Sequence, residues 1–257
     1  MKIKKNIWIL SIVVLAGLLS LVFCLKKVLL KPKPPPRVKV AIIIDDWGYN
    51  LHCISLLRQI NIPLTVSILP KLKYSTKIAR IAKGLNQEII LHLPLEPEKR
   101  GRKLGLEEDT ITSKISDEEI AEIIRRALDS VPYAKGISNH MGSRAMKDKR
   151  IISVIFAELK KQNLFFLDNL VTDESVAAES ARAMQIRIAS RDVFLDNLDD
   201  PEYIRRQFRE LSEFAKSVGE AVGIGHARPN TLEVLKEEAA IMGAEGIEFV
   251  FISELIK

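Results

Sequence analysis

Two cysteines in 257 residues leave no basis for a disulfide framework: Cys24 lies in an apolar run, and Cys53 would need a partner from another chain. No G-x-S-x-G elbow is present, which argues against a serine hydrolase. The "GIG" of residues 223–225 has neither a G-x-G-x-x-G pattern nor a Walker lysine beside it, so it is no phosphate loop. Internal repeats are absent. A basic surplus is also missing where a folded region would need one. The chain as a whole is +6, but residues 1–37 hold eight Lys and Arg and no acid. Residues 38–257 carry the remaining 31 basic residues against all 33 acidic ones, a net of −2. A nucleic-acid partner should meet a basic face in the folded part, so none is expected.

What is present begins with an apolar run. Residues 7–25, "IWILSIVVLAGLLSLVFCL", are nineteen positions without a charge, long enough to cross a bilayer as a helix. A cleaved signal peptide would have a shorter apolar core and an A-x-A-like site, and Phe23 before Cys24 spoils a lipoprotein reading. The expected organisation is therefore a basic N-terminus (1–6), an uncleaved transmembrane signal-anchor (7–25), a stiff Lys/Pro-rich linker with "KPKPPPR" (26–37) and a folded domain (38–257). Five basic residues follow the apolar run and three precede it, so charge alone leaves the orientation open.

Beyond the linker, short runs rich in Ile, Val and Phe alternate with segments of helical period, the signature of repeated βα units. Strands are expected at residues 40–44, 64–69, 88–93, 136–138, 164–167, 186–190, 221–225 and 248–252. Ser116 and Glu119 form a capping box before a helix. Asp200 and Pro201 open another that Gly219 closes, with Ile204, Phe208, Leu211, Ala215 and Val218 on one apolar face. These elements predict an α/β fold, an irregular (β/α)7–8 barrel of mostly parallel strands preceded by one transmembrane helix, with an open sheet as the alternative. Residues 96–109, "EPEKRGRKLGLEED", read as a solvated excursion or a lid.

Chemistry collects where these strands end: Asp45 and Asp46 after the first, His92 at the third, Asn139 and His140 after the fourth, Asp168 after the fifth, Arg191 and Asp192 after the sixth, His226 after the seventh. In parallel α/β folds that edge is where catalytic groups converge. One carboxylate with two or three imidazoles is the ligand set of a catalytic divalent ion such as Zn2+, and a second carboxylate beside a ligand can take a proton from water. His226, on another strand, can protonate a leaving group. Taken singly, each residue has a plainer role. Asp45 or Asp46 can cap a helix, His92 and His140 can be isolated hydrogen-bonded imidazoles, and Asp168 and Asp192 can orient a histidine or pair with Arg191. His52 reads as a surface residue. Trp47 and Tyr49 are the aromatics close to these residues, and either can stack on a ring of a ligand. Trp47, Glu96, Asn139, Ser143, Asp168, Arg191, Asp192 and Arg228 make up the substrate-binding or orienting candidates.

At "IIIDDWGYN", "LHLPLEP", "ISNHMGS", "FFLDN", "SRDVFLDN" and "IGHARPNT", in that order from about residue 38 to 252, the chain resembles the divergent polysaccharide deacetylase family, a distant branch of the metal-dependent polysaccharide deacetylases. The resemblance implies an irregular barrel, an extracytoplasmic (periplasmic) domain held at the cytoplasmic membrane, and metal-assisted hydrolysis of N-acetyl or O-acetyl groups on a cell-envelope polysaccharide such as peptidoglycan. It also implies Asp45 as base, Asp46 as metal ligand and His226 as leaving-group acid, with His92 and His140 completing the ligand set. The wider superfamily takes both histidine ligands from one H-x-x-x-H turn, and no such spacing exists here. Two other readings share the fold: a non-catalytic envelope protein that binds glycan or a partner, and a metal hydrolase of another amide or ester. An aromatic content of 6% favours an enzyme over a sugar-binding cleft.

Overall fold

The computed structural model describes residues 38–98 and 106–257. The transmembrane signal-anchor expected at residues 7–25 lies outside the described residues, among which no helix is long and apolar enough to cross a membrane.

The domain is built on a wholly parallel sheet, β1 (Val38–Trp47), β2 (Thr65–Ile68), β3 (Glu88–Leu95), β4 (Gly136–Met141), β5 (Phe165–Asp168), β6 (Ile188–Ser190), β7 (Val193–Phe194), β8 (Glu220–His226) and β9 (Ile247–Val250). The strand order is β6-β5-β4-β3-β2-β1-β8-β7, with β9 also paired to β1. Every expected strand has a counterpart, and β7 is an addition. The expected barrel does not close: it is a parallel half-barrel, and no pairing joins β6 to β7 among the described residues. Those two strands are separated by Arg191 and Asp192 alone, and parallel neighbours need a crossover of a dozen residues or more.

β1 occupies the centre. Residues 40–44 are buried on both faces, as a central parallel strand requires, and each isoleucine of the run contributes about 1.5–3 kcal/mol by leaving water. Its alternation sorts the core in two. Val40, Ile42 and Ile44 pack outward under the helices, while Ala41 and Ile43 face the half-barrel interior with Ile90, Phe165, Leu167, Val222 and Ile224. The C-terminal residues Ile252 and Leu255 belong to that same inner cluster.

The helices cover the outer face. Ser116 accepts a hydrogen bond from the Glu119 amide at 3.2 Å at the start of helix Asp117–Ser130. Asp200 caps helix Pro201–Val218 through Tyr203 N at 2.8 Å, and Gly219 closes it with φ 96°. Four of the five residues expected on its apolar face are buried, and Val218 in the last turn is exposed. β8 lets this helix and the next approach closely: a Cβ on Gly223 would stand 2.6 Å from a Leu211 methyl, and one on Gly225 2.9 Å from Thr231 Cγ2.

Candidate metal centre and active site

The inner-face alternation that buries Ile43, Ile90 and Ile224 continues two residues further along each strand to Asp45, His92 and His226, and β4 adds His140 two residues beyond Ser138. They line one cavity of about 460 Å3 with Asp46, Asn139, Met141, Asn169, Val171, Arg191, Phe194 and Asn197. His92 and His140 lie within β3 and β4, which run further than the sequence suggested, and His226 is the last residue of β8.

Asp46 should face the helices by the same alternation. It does not, because β1 spends three residues between Ile44 and Trp47 where β2 spends two between Val66 and Ile68, and Asp46 takes φ 62° in the resulting bulge. Its Oδ1 lies 3.1 Å from His140 Nδ1 and 3.4 Å from His92 Nε2, and the two ring nitrogens are 3.2 Å apart. Three donor atoms at these separations, one carboxylate and two imidazoles, match the edge of a tetrahedron about a divalent ion with ligand bonds of about 2.0–2.2 Å. This is the cluster among the described residues suited to hold a metal. Ser138 Oγ lies 2.8 Å from His92 Nδ1 and is itself 2.9 Å from Ser67 Oγ, so it stands where it can accept an Nδ1 proton and leave a lone pair at Nε2 for a cation. Burial works against the charge on Asp46, yet the His140 and His92 rings beside it outweigh that effect and hold the carboxyl far below the usual range.

The other catalytic candidates flank this cluster. Asp45 is 2% exposed; its Oδ2 accepts from Asn169 Nδ2 at 2.7 Å, while Oδ1 has no hydrogen-bond partner among the described residues. His226 lies with Nε2 3.8 Å from Asp46 Oδ2 and Nδ1 2.8 Å from Asp196 Oδ1. Burial disfavours its imidazolium, but the Asp196 carboxylate overcomes this and raises its pKa. Asp196 also accepts from His226 N and Thr231 Oγ1, and Arg228 donates to its carbonyl at 3.0 Å.

The remaining candidates divide. Asn139 and Arg191 line the cavity. Arg191 donates to the carbonyls of Asn169 and Leu170 and lies 4.9 Å over the Phe194 ring. Trp47 does not line the cavity: the bulge returns it to the outer side, where it is 2% exposed in the core under the helices. Glu96 accepts from the amide and hydroxyl of Ser113, and Ser143 accepts from Glu98 N, so both tie loops together away from the cavity. Asp168 is buried, accepting from Ser175 Oγ and Leu170 N, and Asp192 is exposed, accepting from Val222 N at 2.8 Å. Neither touches a histidine. Arg228 acts through Asp196.

Three polar residues that touch or face the catalytic and ligand candidates, Asn169, Asp196 and Glu107, were missed from sequence. Asn169 and Asp196 stand inside the quoted "FFLDN" and "SRDVFLDN" stretches, so a signal existed; Asp196 follows the two-residue β7, which is too short to show a period. Glu107, in the excursion after β3, had none. It accepts a hydrogen bond from the Tyr49 hydroxyl and faces His140, whose ring lowers its pKa to about 2.

Fold and cluster together define a class, parallel α/β half-barrels with an Asp-His-His group at the C-terminal strand ends. The chain belongs to the divergent polysaccharide deacetylase family, whose description matches residues 42–256. It is 34% identical over 199 residues to the uncharacterized protein YibQ of Escherichia coli strain K12, covering 77% of this chain and 61% of that one. It is 31% identical over 198 residues to an uncharacterized Haemophilus influenzae protein, covering 77% and 70%. The chain thus spans under two thirds of the first of these relatives. In fold it is similar to an uncharacterized protein from Agrobacterium tumefaciens C58, with a TM-score of 0.81 at 22% identity over 87% of this chain and 91% of the other.

Proposed function

We propose that this protein is a metal-dependent deacetylase that hydrolyses N-acetyl or O-acetyl groups of a cell-envelope polysaccharide. The observation that carries the reading is the convergence of Asp46, His92 and His140 donor atoms beside an Asp45 oxygen that has no partner among the described residues and the Asp196-bound His226. A divalent ion, zinc by its preference for this ligand set, would be held by those three residues and would polarise the acetyl carbonyl while making a water more acidic. Asp45 accepts the proton of the attacking water at Oδ1, since Asn169 occupies Oδ2. As the bond from the acetyl carbon to the sugar nitrogen or oxygen breaks, His226 supplies a proton to the leaving atom from Nε2, and Asp196 keeps the ring aimed through Nδ1. Acetate and the free amine or hydroxyl result.

Metal analysis of the purified protein, paired with acetate release from acetylated peptidoglycan fragments, tests the reading. About one divalent ion per chain and metal-dependent acetate release are expected. A protein that neither holds metal nor releases acetate overturns it. We further propose that residues 7–25 anchor the protein in the cytoplasmic membrane with its domain on the outer side. Sedimentation with membranes and protease sensitivity in spheroplasts are the expected results, and a freely extractable or protected chain would refute this placement.

A further inference from the structure

His140 has a loose end. Its Nδ1 belongs to the metal-type cluster, while its Nε2 is buried without a hydrogen-bond partner among the described residues. Once Nδ1 offers its lone pair to a cation, Nε2 must carry the proton, and a buried N–H with no acceptor costs about 1–3 kcal/mol. The group that faces it is Glu107 Oε2 at 3.5 Å, and the other Glu107 oxygen is already held by the Tyr49 hydroxyl. Glu107 is brought to this position by anchors on the return limb of the excursion. Asp109 pairs with Lys71 at 2.6 Å and Arg126 at 3.3 Å, and Ile111 bridges to Leu95 beside the site.

Resting on the metal-centre reading above, we propose that Glu107 is a positioning residue: it accepts the His140 Nε2 proton when metal binds and thereby orients His140 as an Nδ1 ligand, with Tyr49 holding the carboxylate in place. The two histidines would then be oriented by different acceptors, Ser138 for His92 and Glu107 for His140. The second acceptor comes from the segment that the sequence presents as a solvated excursion or a lid. Such partners of ligating histidines are typically worth about 10–100-fold in metal affinity.

The test is a chelator-competition titration of Zn2+ on the full chain, with the Co2+-loaded protein followed by proton NMR for the exchangeable imidazole N–H signals of its ligands. Glu107→Ala should weaken zinc binding about 10–100-fold and lose or broaden one of the two ligand N–H signals through faster solvent exchange. Glu107→Gln, which keeps an acceptor oxygen, should recover part of the affinity, and Tyr49→Phe should cost less than Glu107→Ala. Should Glu107→Ala fail to fold, the Glu107→Gln and Tyr49→Phe variants still decide. Wild-type affinity together with both N–H signals in every folded variant would overturn the role of Glu107. Failure of the wild-type chain to bind Zn2+ or Co2+ at all would instead sink the metal-centre reading.

Discussion

Asp45 and Asp46 are consecutive in the chain, yet both carboxylates reach one cavity, because the β1 bulge gives Asp46 a φ of 62° and turns it back to the inner face. In a regular strand, neighbours point to opposite faces and one of the two charges would be driven into the helix-facing core. The pair is thereby placed for unequal tasks: Asp46 sits against both histidines, and Asp45 stands behind them with one oxygen held by Asn169.

That division predicts distinct mutant phenotypes. Asp45→Asn keeps the shape and the Asn169 contact but removes the proposed base, so on the proposed mechanism the protein should hold metal as the wild type does and lose acetate release by about 100-fold or more. Loss of metal along with activity would make Asp45 a ligand.

His92→Ala or His140→Ala should strip the ion, measured as metal content after dialysis, and lower the thermal midpoint of the loaded protein to that of the metal-free wild type. Full occupancy in both variants would place the ligands elsewhere.

His226→Ala should leave metal content unchanged and slow hydrolysis of an N-acetyl sugar by roughly 100-fold or more. An activated ester needs little help from an acid when its leaving group departs, so its hydrolysis should fall much less. Equal losses on the two substrates would take His226 out of the acid role.

Asp196→Asn carries a pH signature. The Asp196 carboxylate raises the His226 pKa against the opposing effect of burial, so removing its charge lowers that pKa. An acid must be protonated to act. The alkaline limb of the kcat–pH profile should therefore move to lower pH in the variant, and an unmoved limb would separate Asp196 from the chemistry.

Much of the site was legible because a parallel strand's side-chain period is two. The same alternation that places Ile43, Ile90 and Ile224 inside carries forward to Asp45, His92 and His226, so charged and imidazole groups ending apolar runs could be read as convergent. Trp47 shows where that rule breaks. Simple alternation puts it in the cavity with Asp45, and the one-residue bulge moves it to the buried outer layer. Nothing local in "IIIDDWGYN" announces the bulge, which is defined by the register of β1 against β2.

The sequence by itself determined the run of βα units, the helix caps at Ser116 and Asp200, and the set of acids and histidines at strand ends, since periodicity and capping act within a few residues of chain. Tertiary structure alone decided that, among the described residues, the sheet stays open between β6 and β7, that Asn169 meets Asp45 across 124 positions, and that Glu107 meets Tyr49 across 58. Those contacts join groups with no periodic relation in the chain. They arise only after strand pairing and loop anchoring have set which polar atoms are buried, because burial is what makes an unpaired polar atom costly enough to fix its partner.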